Sequence, residues 1–79
     1  MGYRVQVFAA REGPLAEGFA DRLRERLPDD PVYVGWEEPW HKVRAGDFTS
    51  REEAERLRAL LIDMGFVEAW TVRTAIRGR

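Results

Sequence analysis

Residues 40–66 read WHKVRAGDFTSREEAERLRALLIDMGF, and the pattern changes period halfway through. In the first part, Trp40, Lys42 and Arg44 alternate with His41, Val43 and Ala45, which predicts a strand with two unlike faces because successive side chains point to opposite sides. In the second part, Ala54, Leu57, Leu61 and Met64 recur at three- and four-residue spacing and form one apolar helical stripe. Between them, Ser50 followed three residues later by Glu53 is a capping box, each side chain answering an amide exposed at the helix start. Gly65 stands where a left-handed C-terminal cap is wanted, and Phe66 is placed to fold back over the last turn. The stretch is therefore strand, turn and helix, with Val43 and Ala45 on the side the helix must cover.

The same design recurs upstream. Val5, Ala16, Glu17, Phe19 and Leu23 correspond to Val43, Ala54, Glu55, Leu57 and Leu61 at a constant offset of 38 residues. Residues 3–9, YRVQVFA, form the first strand, with Tyr3, Val5 and Val7 alternating against Arg4 and Gln6. Pro14, with no amide hydrogen to leave unsatisfied, opens a helix whose stripe is Leu15, Ala16, Phe19, Ala20, Leu23 and Leu27. Pro28-Asp29-Asp30-Pro31 ends it. Val32–Trp36 is a second strand joined to the one at Trp40 by a turn at Glu37-Glu38-Pro39, and residues 69–75, AWTVRTA, make the last strand. The order is βαββαβ. It implies an α+β fold of the ferredoxin-like or RNP-like kind, a four-stranded antiparallel sheet with two helices packed on one face.

The chain has 79 residues, 44% of them hydrophobic, with three Trp, four Phe and two Tyr, which is one domain over residues 1–79 with a real core at about 3–75. There is no cysteine, so stability must come from packing or from the rest of a longer protein. No run approaches the ~18 apolar residues of a membrane span, and the sequence enters its first strand without a leader-like segment, so the expectation is a piece of a larger protein that does not itself insert into a membrane. A formal charge of −1 argues against a partner bound by a summed basic field, such as a nucleic acid.

Two helices on one side leave the other side of the sheet bare. With Val5, Val7, Val32, Val34, Val43, Ala45, Trp70 and Val72 toward the helices, alternation assigns Arg4, Gln6, Phe8, Tyr33, Trp40, Lys42, Arg44, Thr71 and Arg73 to the open side. Aromatic rings clustered with an amide and several guanidinium donors on exposed surface suit a flat polar polymer. Sugar rings stack on Trp40, while hydroxyl and acyl oxygens are taken by Gln6, Lys42 and Arg44.

With those residues in place, the sequence resembles the SPOR (sporulation-related repeat) domain family over roughly residues 3–75. The motif residues are Gly46, Phe48, Ser50, Ala54 and Leu61 in the second half, and Val5-Gln6-Val7 in the first. The resemblance implies a bacterial, periplasmic cell-envelope domain that binds peptidoglycan glycan strands, preferring strands stripped of stem peptides, and so brings a larger protein to the division site. By position it implies contacts from Gln6, Trp40, Lys42 and Thr71 on the open face, to which the alternation adds Arg4, Tyr33, Arg44 and Arg73. Ala9 stands where some members carry a small polar residue. Phe8 stands where a Gly is usual and Ala10 where a Phe is usual; Phe8 either fills the space left by Ala10 or widens the exposed aromatic surface.

No catalytic constellation is legible. The only histidine, His41, is expected toward the helices or at the hairpin edge, and no HExxH, GxSxG or phosphate-cradling glycine loop occurs. Glu52, Glu53 and Glu55 fall on the second helix beside Arg51, Arg56 and Arg58 as a solvated, charge-paired surface. The sequence calls for no cofactor, no metal and no catalysis. Two rival readings remain: an RRM-like module that stacks single-stranded RNA bases on the same face, against which the third strand lacks the Gly-aromatic-x-aromatic string, and a protein-interaction or homodimerisation domain, a weak homodimer closed through the sheet face.

Overall fold

A computed structural model describes residues 1–76. Strands β1 (Gly2–Ala10), β2 (Val32–Glu37), β3 (Trp40–Phe48) and β4 (Trp70–Thr74) form one antiparallel sheet in the order β2-β3-β1-β4. Helices α1 (Gly13–Arg26) and α2 (Arg51–Asp63) cover one side of it. The βαββαβ plan and the α+β class stand as the sequence predicts.

The core lies between the helices and the two central strands. Val5, Val43 and Ala45 are fully buried beneath Ala16, Ala20 and Leu23 of α1 and Ala54, Leu57 and Leu61 of α2. All of these but Ala20 and Ala45 belong to the 38-residue echo, so the repeated pattern is a repeated way of pressing one strand against one helix. Alanines at the contacts let the helices approach closely, and the larger Leu23 and Leu61 fill the remaining space.

The ends of α2 follow their sequence signals. Ser50 Oγ accepts from the Glu53 N–H at 3.2 Å, although the return bond from the Glu53 side chain does not form among the described residues. Gly65 adopts φ +103°, and its N–H donates to Ile62 O at 3.0 Å while Phe66 N–H donates to Leu61 O at 2.9 Å. Those paired bonds are the Schellman closure, and they bring Phe66 onto the core.

Two bulges reset the alternation. Tyr3 opposes Phe48 and Val5 opposes Ala45, so β3 carries one extra residue there. Gly46 occupies it at φ +87°, where an added Cβ would strike the Phe48 ring. In β1, Gln6 opposes Arg44 and Phe8 opposes Val43, which makes Val7 the extra residue. Phe8 is therefore turned to the helix side, contrary to simple alternation, and stacks on Phe19 at 4.3 Å between ring centres. Of the two roles open to Phe8, the structure selects the filling of the core.

The last strand reverses the expected assignment. Val5 opposes Thr71 and Gln6 opposes Trp70, and directly opposed residues of an antiparallel pair share a face. Thr71 thus points at the helices and is only 8% exposed, while Trp70 lies on the open side and is 61% exposed. Arg73 opposes the half-buried Tyr3 on the helix side, and Val72 opposes Arg4 on the open side. The physical reason is that β4 is an edge strand entered from a tight turn, with Ala69 N–H donating to Phe66 O at 3.1 Å. The positions under α2 are taken by Ala69 and Thr71, both buried.

Candidate functional site

The open side of the sheet carries a row of side chains across all four strands: Tyr33 on β2, Arg44 on β3, Gln6 on β1 and Trp70 on β4. One step toward the β2–β3 hairpin lies the row Gly35, Lys42 and Ala9, and beyond it Glu37 opposite Trp40. On the other side of the Tyr33 row lie Asp47, Arg4 and Val72. Of the residues assigned to this face by the sequence, Arg4, Gln6, Tyr33, Trp40, Lys42 and Arg44 are brought together here. Thr71 and Arg73 are not.

Trp40 is 38% exposed, with the Arg11 guanidinium 5.4 Å from its ring centre. Trp70 lies two strands away and four residues along, about 16 Å between Cα atoms from ordinary strand spacing and rise. Beside Trp40 a shallow groove of about 490 Å³ is lined by Gln6, Val7, Phe8, Ala9, Trp40, Lys42 and Glu68, while Trp70 lines a separate hollow with Arg51, Glu55, Arg58 and Thr71. Since the Val7 and Phe8 side chains turn to the helices, these residues offer the groove their backbone. β4 begins opposite Gln6, so residues 7–10 of β1 have a strand partner on the β3 side alone, and alternate backbone donors and acceptors there open into the groove.

The polar groups are organised in two clusters. At the end away from Trp40, Arg4 Nε and Nη2 donate to Asp47 Oδ1 at 3.0 and 2.8 Å, and Tyr33 donates its hydroxyl hydrogen to Asp47 Oδ2. The Arg4 guanidinium also lies 4.2 Å over the Tyr33 ring. Three strands are tied together by one carboxylate. Near Trp40, Lys42 Nζ donates to Glu37 Oε1 at 2.8 Å, Arg44 Nη1 lies 3.3 Å from Glu37 Oε2, and Arg44 Nε donates to Gln6 Oε1 at 3.0 Å. The Lys42 hydrogen bond, followed by the charges of Arg44 and Lys42, holds the Glu37 carboxyl below its ordinary range.

Sequence reasoning missed Trp70, Glu37, Asp47 and Glu68. Trp70 carried a signal only in its neighbours, since Ala69 and Thr71 are the small residues a covered edge position can accept. Glu37 and Asp47 gave none, because their partners are fixed by cross-strand register.

Among the described residues, the helix side holds no rival cluster of the same kind. His41 packs beside the start of α1, its ring 3.4 Å from where a Cβ on Gly13 would stand, and Trp36 tilts against it at 4.6 Å. Glu55 lies 3.6 Å from Arg51 and 3.2 Å from Arg58 across the α2 surface. Its carboxyl is held low first by the Thr71 hydroxyl, which is buried and short of full hydrogen-bond geometry with any partner among the described residues. Among the described residues, no three His, Asp or Glu converge as a metal site, and no helix is long and apolar enough to cross a membrane.

A family model described as the SPOR domain matches residues 2–73, nearly the whole chain. No curated protein and no solved structure matches it.

Proposed function

The chain belongs to the SPOR domain family, whose members bind peptidoglycan in bacterial cell-envelope proteins, and from that premise we propose that it holds glycan strands on its open sheet face without breaking them. The observation that carries this reading is the exposed Trp40 indole at a groove lined also by Gln6, Ala9 and Lys42, with a second exposed indole, Trp70, opposite Gln6 on the same side of the sheet. Indole planes stack on the apolar faces of sugar rings, and the groove supplies the directional groups: the Gln6 amide, the remaining N–H donors of Lys42 and Arg44, and the free backbone edge of β1. Arg4 and Tyr33 act by fixing β1 and β2 through Asp47 and hold the platform flat rather than touch the ligand.

Strands without stem peptides fit the shallow groove best, because a peptide rising from each second sugar would collide with the Trp40 indole that walls it. Binding of this kind is reversible and places a larger periplasmic protein where such strands are made, at the division site. The test is co-sedimentation with purified sacculi, intact or treated with an amidase that removes stem peptides. Greater retention on the treated sacculi is expected; equal or lower retention would contradict the preference, and no retention on either would contradict the binding.

A further inference from the structure

The cations around Trp40 outnumber the carboxylates. Lys42 and Arg44 share one partner, Glu37, and that carboxylate can cancel only one of their two charges. Arg11 adds a third cation. Ala10 opposes His41 at the end of β1, so the next residue falls beside Trp40, and the Arg11 guanidinium lies 5.4 Å from the Trp40 ring centre. Among the described residues, no hydrogen bond or ion pair engages Arg11, and Glu12 and Glu38, both exposed, form no ion pair with it. Glu68 is the other carboxylate lining the groove. Three cations against Glu37 and Glu68 leave this end of the face positive in a chain whose formal charge is −1.

Hydrolysis of the amide that joins a stem peptide to its sugar leaves a carboxylate on that sugar, so a stripped strand carries a negative charge on each second ring where an intact strand has a neutral amide. We propose that Arg11 is a specificity-determining residue that takes this carboxylate from a sugar stacked on Trp40. The proposal rests on the glycan reading of the same face. A guanidinium presents its N–H donors as a planar fork that matches the two oxygens of a carboxylate, and in Arg11 all of them are unspent. Lys42 and Arg44 have already given donors to Glu37 and Gln6. The contact with the indole holds the fork beside the stacking surface without consuming an N–H, close enough for one sugar and its acidic side group to touch both.

Exclusion of a peptide by Trp40 and attraction of a carboxylate by Arg11 both favour stripped strands, but they answer to different changes. Converting the carboxylate to a methylamide removes the charge and leaves the stripped shape. Arg11 is exposed, so its contribution is screened by salt and is largest at low ionic strength.

The experiment titrates soluble stripped strands, in the carboxylate form and with each carboxylate converted to a methylamide, into the wild-type chain, Arg11→Gln, Arg11→Lys and the control Arg56→Gln on the exposed surface of α2, after thermal melts show all four folded. At low salt, wild type is expected to bind the carboxylate form about fivefold more tightly than the methylamide. Arg11→Gln should lose most of that preference by weakening on the carboxylate form alone, its methylamide affinity staying within about twofold of wild type. Arg11→Lys, which keeps the charge without the fork, should fall between them, and Arg56→Gln should match wild type. Equal weakening of Arg11→Gln on both forms, an unchanged preference, or the same loss in Arg56→Gln would overturn the assignment. Wild-type binding of both forms without preference would overturn the role of Arg11 and leave the glycan reading in place, whereas binding of neither form would overturn both.

Discussion

The two ends of the open face use the same residue types for different ends. At one, Asp47 gathers Arg4 and Tyr33 into a half-buried knot that ties β1, β2 and β3. At the other, a carboxylate that is itself exposed, Glu37, holds Lys42 at 2.8 Å and Arg44 at 3.3 Å beside an exposed Trp40 and a groove. A sheltered charge that loses its partner is left desolvated and uncompensated, so the first end is a structural device. An exposed pair can be broken by water at little cost, so the second end is free to serve a ligand.

The sharpest way to break this contrast is Trp40→Ala. It should reduce retention on amidase-treated sacculi by tenfold or more, as loss of a central aromatic anchor does, with the melting temperature unchanged within about 2 °C. A destabilised protein would show that Trp40 is a packing residue after all. Asp47→Ala should do the reverse. Leaving the Arg4 guanidinium and the Tyr33 hydroxyl without their acceptor is expected to cost about 1–3 kcal/mol in urea unfolding, while sacculus binding of the folded fraction stays within about twofold.

Trp70→Ala sharpens the comparison in the middle range. Its indole sits on an edge strand, open on one side, and a three- to tenfold loss, roughly half the free-energy effect of Trp40, is expected in the same sedimentation assay. The smallest effect concerns pH. The Glu37 carboxyl is held below its ordinary value of 4.5, so whatever the pair with Lys42 and Arg44 contributes is complete above that value and is lost as pH falls through the lowered one. Thermal melts of wild type and Glu37→Gln from pH 7 to 3 should therefore differ by a constant small amount down to about pH 4.5 and converge below it.

How much of this was legible depended on what covers each strand. In β3, Val43 and Ala45 lie under helices, so burial and alternation agree and the outward turn of Trp40, Lys42 and Arg44 could be read directly. In β4, apolarity misled. Trp70 and Val72 look like core residues, yet Ala69 and Thr71 are the ones buried beneath α2, and a slip of one position moves every side chain to the other face. The bulge at Val7 was equally hidden, because Val7, Phe8 and Ala10 are all apolar and any of them suits a core. Local signals such as Ser50 with Glu53, or Gly65 before Phe66, survived into the structure because their partners lie within a few residues. The partners of Glu37 and Asp47 lie on other strands or across the hairpin, and only register decides them.

The three tryptophans provide the most direct test, since two stand on the open face and Trp36 stands on the helix side against His41. Soluble glycan fragments lacking stem peptides, titrated into protein carrying ¹⁵N-labelled indoles, should shift the Nε1–H resonances of Trp40 and Trp70 together and leave that of Trp36 in place. A shift at Trp36 alone, or no movement at Trp40 under saturating glycan, would contradict the open face as the binding surface.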